Sequence, residues 1–169
     1  MWLEMKVKGL ALDPLSNMPM IILRDDEEKR SLPIWVGLFE ANAIALELEK
    51  ISTPRPMTHD LIKNILESLD ARVQKIVVND LRDNTFYAVI HLRLGSADIT
   101  VDSRPSDAIA LAVRAEAPIY ADDRVIEESA IEFEGEEVNE EEIVDEFRRF
   151  LDHVTPDEFA VEDEPEENQ

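Results

Sequence analysis

Apolar and charged side chains alternate along much of the first hundred residues, and this period of two is typical of strands with one buried face. Between the alternating stretches lie turn-forming clusters rich in Pro, Asn, Asp and Gly. The charged run 25–30 reads as the tip of a hairpin. The predicted strands are Met1–Leu12, Met18–Leu23, Ser31–Val36, Arg72–Asn79, Thr85–Leu94, Asp98–Val101 and Pro118–Tyr120.

Helical periodicity replaces this alternation in three segments. The clearest is His59–Asp70, whose large aliphatic residues fall on one side of a helix and predict a buried stripe, with Thr58 as the N-cap. Leu38–Lys50 is apolar on most sides, and we expect it to be buried as well. Pro105–Ala115 begins with a proline, as helices often do.

Together these elements predict an α+β domain. Residues 72–101 form a three-strand meander, which is a natural antiparallel arrangement. We expect a mixed, largely antiparallel sheet packed with three or four helices, plus an acidic C-terminal helix and tail. The predicted boundaries are a domain over residues 1–132, an acidic helical extension over 133–155 and an acidic flexible tail over 156–169.

The charge of the chain is concentrated at its C-terminal end. The formal net charge is −22, and residues 125–169 alone hold 19 acidic and two basic side chains. Such an acidic arm repels phosphate backbones and anionic membranes, and it attracts cations or a basic protein partner. The absence of cysteine excludes disulfides and thiolate chemistry. No signal peptide and no apolar run of about 18 residues is visible, so we expect a cytoplasmic protein without membrane contact.

Candidate chemistry lies at the predicted helix starts. Glu40 and Asn42 stand in the opening turn of an otherwise apolar helix, where the helix dipole alone would favour a carboxylate. His59 follows Arg55 at the start of the next helix, and the dipole there favours a neutral imidazole that could act as a base or a ligand. Each could equally be an ordinary structural or surface residue.

The stretch from Asp102 to Asp107 is the strongest local signal. Helix capping accounts for Ser103 or Ser106, for the proline and for Asp107 in the first turn. It does not account for Arg104, because a cation at a helix N-terminus opposes the dipole and needs an anionic partner. Asp107, three residues on, is one such partner, and a bound phosphate is another.

Three segments carry a resemblance to a known family. The runs Leu32–Ala45, Arg55–Leu61 and Asp102–Arg114, the last followed by Ala117-Pro118-Ile119, closely resemble the bifunctional nuclease domain family of bacteria and plants. Residues 147–159 are similar to the C-terminal extension of bacterial members. The resemblance implies an α+β fold that self-associates and an activity that cleaves both DNA and RNA. P-loop, dinucleotide-binding and zinc-protease motifs are absent from the sequence.

We therefore hypothesise a nuclease of low sequence specificity that hydrolyses phosphodiester bonds with a divalent metal ion, Mg²⁺ or Mn²⁺, and no organic cofactor. The candidate acid, base and metal-binding groups are Asp102, Asp107, Glu40 and His59, with Asp102 and Asp107 as metal ligands. The candidate substrate-binding groups are Arg104, Arg55, Ser103 and Ser106.

Two further expectations concern partners. The apolar first helix and the surface around Trp35 predict self-association into a dimer or larger homo-oligomer. The alternative to a nuclease is a non-catalytic interaction or regulatory module, whose acidic arm binds a basic partner.

Overall fold

The computed structural model of the chain describes residues 1–13, 15–27, 29–129, 131–132 and 149. Within this part, eight strands form one sheet and four helices accompany it. The strands are β1 (Trp2–Leu12), β2 (Pro19–Asp25), β3 (Arg30–Trp35), β4 (Ala71–Arg82), β5 (Thr85–Leu94), β6 (Ala97–Ser103), β7 (Ile119–Asp122) and β8 (Ile131–Glu132). The helices are α1 (Leu38–Leu48), α2 (Thr58–Ser68), α3 (Pro105–Ala115) and α4 (Asp123–Ser129).

The strands are ordered β6-β5-β4-β7-β1-β2-β3-β8 across the sheet. The predicted meander is present as β4, β5 and β6, which pair antiparallel in sequence order. Strand β7 pairs parallel with β4 and antiparallel with β1, because the crossover helix α3 returns the chain to the middle of the sheet. The prediction of a mixed, largely antiparallel α+β fold is confirmed.

The hydrophobic core lies between the sheet and the helices. Helix α3 packs against β4 and β5, and α1 packs against α3 and β2. The alanines on α3 allow close approach, because Ala108, Ala110 and Ala112 are all fully buried in the main hydrophobic cluster. Helices α1 and α3 are therefore held firmly, and both of their N-termini belong to the site described below.

Helix α2 corrects one prediction. Its aliphatic stripe was expected to be buried, but Leu61, Ile65 and Leu69 are 53%, 50% and 61% exposed. The reason is that α2 packs mainly on α3 from the outside, with a smaller contact to β4, and it buries His59 rather than its aliphatic side. Periodicity correctly located the aliphatic stripe of α2, but no described residue packs over most of it.

This exposed stripe adds α2 to α1 and the Trp35 surface as a place where self-association is expected. Trp35, the other predicted contact, is half-exposed and donates its indole N–H to Asp13. We expect the protein to sediment as a dimer or larger species at micromolar concentration, because large exposed apolar patches mark protein interfaces. Ile65→Glu should shift it to monomer, whereas Leu15→Glu, at a residue that is 97% exposed, should not. Wild-type protein that sediments as a monomer would contradict this expectation.

The remaining predictions about the C-terminal part fall on residues that are not described. The acidic helical extension over 133–155 and the tail over 156–169 lie outside the described residues, apart from Arg149. In the part of the chain that the structure covers, no helix has the length and apolar character that a membrane crossing requires.

Candidate functional site

The N-terminal ends of α1, α2 and α3 meet around a cavity of about 300 Å³. Glu40 and Asn42 enter it from α1, His59 from α2, and Arg104 and Asp107 from the start of α3. Most of the residues singled out in the sequence are therefore neighbours in space, although up to 67 positions separate them along the chain.

Arg104 is held between two carboxylates. Its Nη2 donates to Glu40 Oε1 at 2.6 Å, and its Nε donates to Asp107 Oδ2 at 2.8 Å. These bonds, first to Asp107 and then to Glu40, raise the pKa of the guanidinium above its usual value. They explain how a cation is tolerated at a helix N-terminus. The side chain remains 66% exposed, and its Nη1 makes no hydrogen bond with any described residue.

Asp107 joins the arginine to a histidine. Its second oxygen, Oδ1, lies 2.9 Å from Nε2 of His59, whose side chain is only 7% exposed. An ionised carboxylate can only accept, so Nε2 carries the hydrogen of this bond, and Nδ1 is the nitrogen that can offer a lone pair. This is the arrangement in which a carboxylate orients an imidazole that acts as a general base.

The start of α2 is fixed by Asp60 rather than by Thr58. Thr58 is the first helical residue, and the Asp60 carboxylate accepts the backbone N–H of Met57 at 2.9 Å. The predicted Thr58 cap is therefore wrong, because Met57 stands at the cap position and Thr58 is already inside the helix. Partial burial alone would raise the pKa of Asp60. The Met57 N–H and the Arg114 guanidinium outweigh burial and hold the pKa below its ordinary value.

Arg114 connects the three helices that carry the site. Its side chain is 4% exposed, and its Nε donates to Asp60 Oδ1 at 2.7 Å. Nη1 donates to the carbonyl of Ala110 in α3, and Nη2 to the carbonyl of Ala43 in α1, both at 2.8 Å. One buried cation therefore fixes α1, α2 and α3 relative to one another. Sequence reasoning missed Arg114, although a lone cation within an apolar helix was a usable signal.

Gly37 was also missed. It precedes α1, and a Cβ atom at this position would collide with the Glu40 carboxylate. The glycine therefore leaves room for Glu40 to fold back over the helix start, where it reaches Arg104.

The other sequence-predicted site residues do not share this cavity. Asp102 lies exposed on β6 and does not line it. Ser103 donates to the carbonyl of Arg104, and Ser106 is buried; no described side chain caps α3, so the capping role predicted for these serines is wrong. Arg55 lines a second cavity of about 320 Å³, to which Asp60 and Arg114 also belong.

The residues present do not form a ready metal site. Within the described ranges, no three His, Asp or Glu side chains converge as metal ligands. Glu40 and Asp107, the carboxylates in the cavity, both bind Arg104. One oxygen of each carboxylate already accepts from the guanidinium, so a metal ion bound here would lie next to a cation.

Comparison with known proteins places the cavity within a family domain. The family model described as the bifunctional nuclease domain matches residues 21–134, which include every residue of the cavity. The chain belongs to the bifunctional nuclease domain family. It is 37% identical over 164 residues to "Uncharacterized protein Rv1829" of Mycobacterium tuberculosis (strain ATCC 25618 / H37Rv), covering 94% of this chain and 98% of that protein.

Plant relatives carry the nuclease name. The chain is 29% identical over 136 residues to "Bifunctional nuclease 1" of Arabidopsis thaliana, covering 73% of this chain and 42% of that protein. It is 25% identical over 116 residues to "Bifunctional nuclease 1" of Oryza sativa subsp. indica, covering 67% of this chain and 35% of the relative. The match thus spans less than half the length of these plant proteins.

Proposed function

We propose that this protein hydrolyses phosphodiester bonds in DNA and RNA with low sequence specificity, at the cavity formed by Glu40, His59, Arg104 and Asp107. The observation that carries the proposal is the double role of Asp107. One of its oxygens contacts His59, the candidate general base, and the other accepts a hydrogen bond from Arg104, the candidate phosphate-binding group. Membership of the nuclease domain family and the names of the plant relatives support the same class of reaction.

Each side chain has a distinct role in this proposal. His59 Nδ1 accepts a proton from the attacking water, while Asp107 fixes the ring and stabilises the imidazolium that forms. The free Nη1 of Arg104 donates to a phosphate oxygen and offsets the charge that develops there. Glu40 and Asp107 keep the guanidinium plane in place before the substrate arrives, which removes the cost of ordering it during the reaction.

The charge of the site limits how the substrate is held. With His59 neutral, two carboxylates and one guanidinium give the cavity a net charge of about −1. A polyanion is therefore attracted only by directed hydrogen bonds and not by the general field of the protein. Because a divalent cation would offset the negative charge of the cavity, assistance by Mg²⁺ or Mn²⁺ stays a prediction. Hydrolysis assays with either ion and with a chelator test it.

Arg104→Gln is expected to separate binding from stability. Arg104 is exposed, so losing its pairs should change the free energy of unfolding by no more than about 1 kcal/mol. Affinity for a short single-stranded oligonucleotide should fall about 10- to 100-fold, the range of a charge-assisted hydrogen bond. Arg104→Lys should restore little if the contact depends on the planar guanidinium. Titrations at two salt concentrations measure this effect, and equal affinity of wild type and Arg104→Gln would remove Arg104 from the site.

A non-catalytic interaction module is the second candidate. The excess of acidic residues over 125–169 favours it, since such a segment suits a basic protein surface better than a nucleic acid. In that case the cavity would bind a small anion, or nothing, and purified protein would leave DNA and RNA intact.

A further inference from the structure

One face of α1 forms an apolar wall of the cavity that phosphate chemistry does not use. Phe39, Asn42, Ala43 and Leu46 are spaced as one helix face, and all four line the cavity. Phe39 is 73% exposed. This spacing would ordinarily mark a stripe buried in the core, but here it lines the cavity.

The wall carries a single amide. The Asn42 side chain lines the cavity and makes no hydrogen bond with any described residue, and its amide offers both a donor and an acceptor. Met57, 44% exposed, contributes further apolar surface from the end of the loop before α2. An aromatic ring, aliphatic surface and one amide are the groups that proteins use to stack an unpaired base and to bind its polar edge.

The apolar wall of α1 lies directly beside Arg104, the proposed phosphate-binding group. Phe39 precedes Glu40, and Glu40 holds Arg104 at 2.6 Å. A cavity of about 300 Å³ is at the small end of ligand sites, which suits one nucleotide and not a stacked pair.

We infer that Phe39 and Asn42 form a base-binding subsite, so that the cavity takes an unpaired nucleotide and the protein acts on single-stranded segments. The inference rests on the proposed function, because it assigns the remainder of the same cavity. In a duplex, the bases are stacked and paired, and reaching Phe39 would require a nucleotide to be extruded. Single strands avoid that cost.

Three fluorescent probes test the inference with the full-length protein: a six-nucleotide single strand, the same backbone with abasic residues, and a hairpin duplex. Wild type should bind the single strand about 10-fold more tightly than the abasic probe or the duplex, as expected for one stacked base. Phe39→Ala should remove this difference in affinity and leave the affinity for the abasic probe unchanged. Phe39→Trp should restore the difference. Asn42→Ala should reduce it in part. Leu15→Ala, at an exposed residue outside the cavity, is the control and should keep it.

The outcomes distinguish a failure of the base-binding subsite from a failure of the proposed phosphate-binding site. If Arg104→Gln weakens the binding of all probes while Phe39→Ala does not selectively weaken binding of the single strand, the base-binding subsite is contradicted and the phosphate-binding site stands. Should wild type bind none of the probes, both are wrong. If Phe39→Ala instead changes the sedimentation coefficient, Phe39 belongs to a contact between copies of the chain, and this too overturns the inference.

Discussion

Hydrolysis of a phosphodiester substrate is expected to fall about 10²- to 10⁴-fold when His59 is replaced by glutamine, which is the contribution of a well-placed general base. Glutamine can still donate a hydrogen bond to Asp107, so the contact at 2.9 Å that holds α2 near α3 can persist. It cannot accept and carry the proton from water as an imidazole does. The loss should therefore appear in kcat, with a small change in KM and in the melting temperature.

His91→Gln is the control for this experiment. His91 lies on β5, where its ring is 5.6 Å from that of Trp2, and it does not line the cavity. Partial burial and the neighbouring Lys75 lower the pKa of His91, so loss of this ring removes no charge at neutral pH. Its substitution should leave the rate unchanged. Equal losses in the two variants would mean that His59 acts through stability and not through chemistry.

Arg114→Met is expected to destabilise the fold by about 2–4 kcal/mol, because it breaks a buried ion pair and leaves the carbonyls of Ala43 and Ala110 without their donor. The expected loss of stability is smaller than for a fully buried ion pair, because the Asp60 side chain is one-third exposed. Methionine preserves most of the apolar stem, so packing contributes little to the loss. Urea denaturation of both proteins measures the difference.

The pH dependence gives a second test of Arg114. The pKa of Asp60 is lowered in the folded state, so its pairing adds stability above the unfolded pKa of about 4, and that stability is lost as the pH falls below it. The gap in unfolding free energy between wild type and Arg114→Met should therefore narrow below about pH 4. A gap that is constant from pH 7 to pH 3 would assign the loss to the carbonyl hydrogen bonds and packing, and not to the pair with Asp60.

An exposed pair supplies the comparison. Arg82 contacts Asp80 at 2.6 Å, but its side chain is 62% exposed. Arg82→Met should lower the free energy of unfolding far less than Arg114→Met does, because the pair is exposed. If Arg114→Met costs no more than this, Arg114 does not fix the three helices relative to one another.

Much of the fold followed from periodicity. The strand alternation and the turn residues of 72–101 specify the meander, because side chains on successive residues must face opposite sides of a sheet. The exposure of Leu61, Ile65 and Leu69 could not be predicted in this way. A stripe of apolar residues shows which side of a helix avoids water but not which molecule covers it.

The candidate site was predictable only in part. The dipole argument required an anion for Arg104, and Asp107 provides it at 2.8 Å, but nothing local in the sequence indicated that Glu40 would be the second. Asp102 was grouped with Asp107 by sequence proximity, whereas it remains on the sheet and outside the cavity. The sequence could have marked Arg114 as a lone cation in an apolar helix, but not its partners, because its bonds to Asp60 and Ala43 span 54 and 71 positions.

The most direct test of the central claim is cleavage of labelled single-stranded DNA and RNA by full-length protein and by His59→Gln, purified in parallel. Reactions with Mg²⁺, with Mn²⁺ and with a chelator would establish in the same experiment whether a metal ion assists. We predict that wild type cleaves both substrates in at least one of these conditions and that His59→Gln is at least about 100-fold slower. Intact substrate with wild type in every condition, or equal rates for the two proteins, would contradict the account.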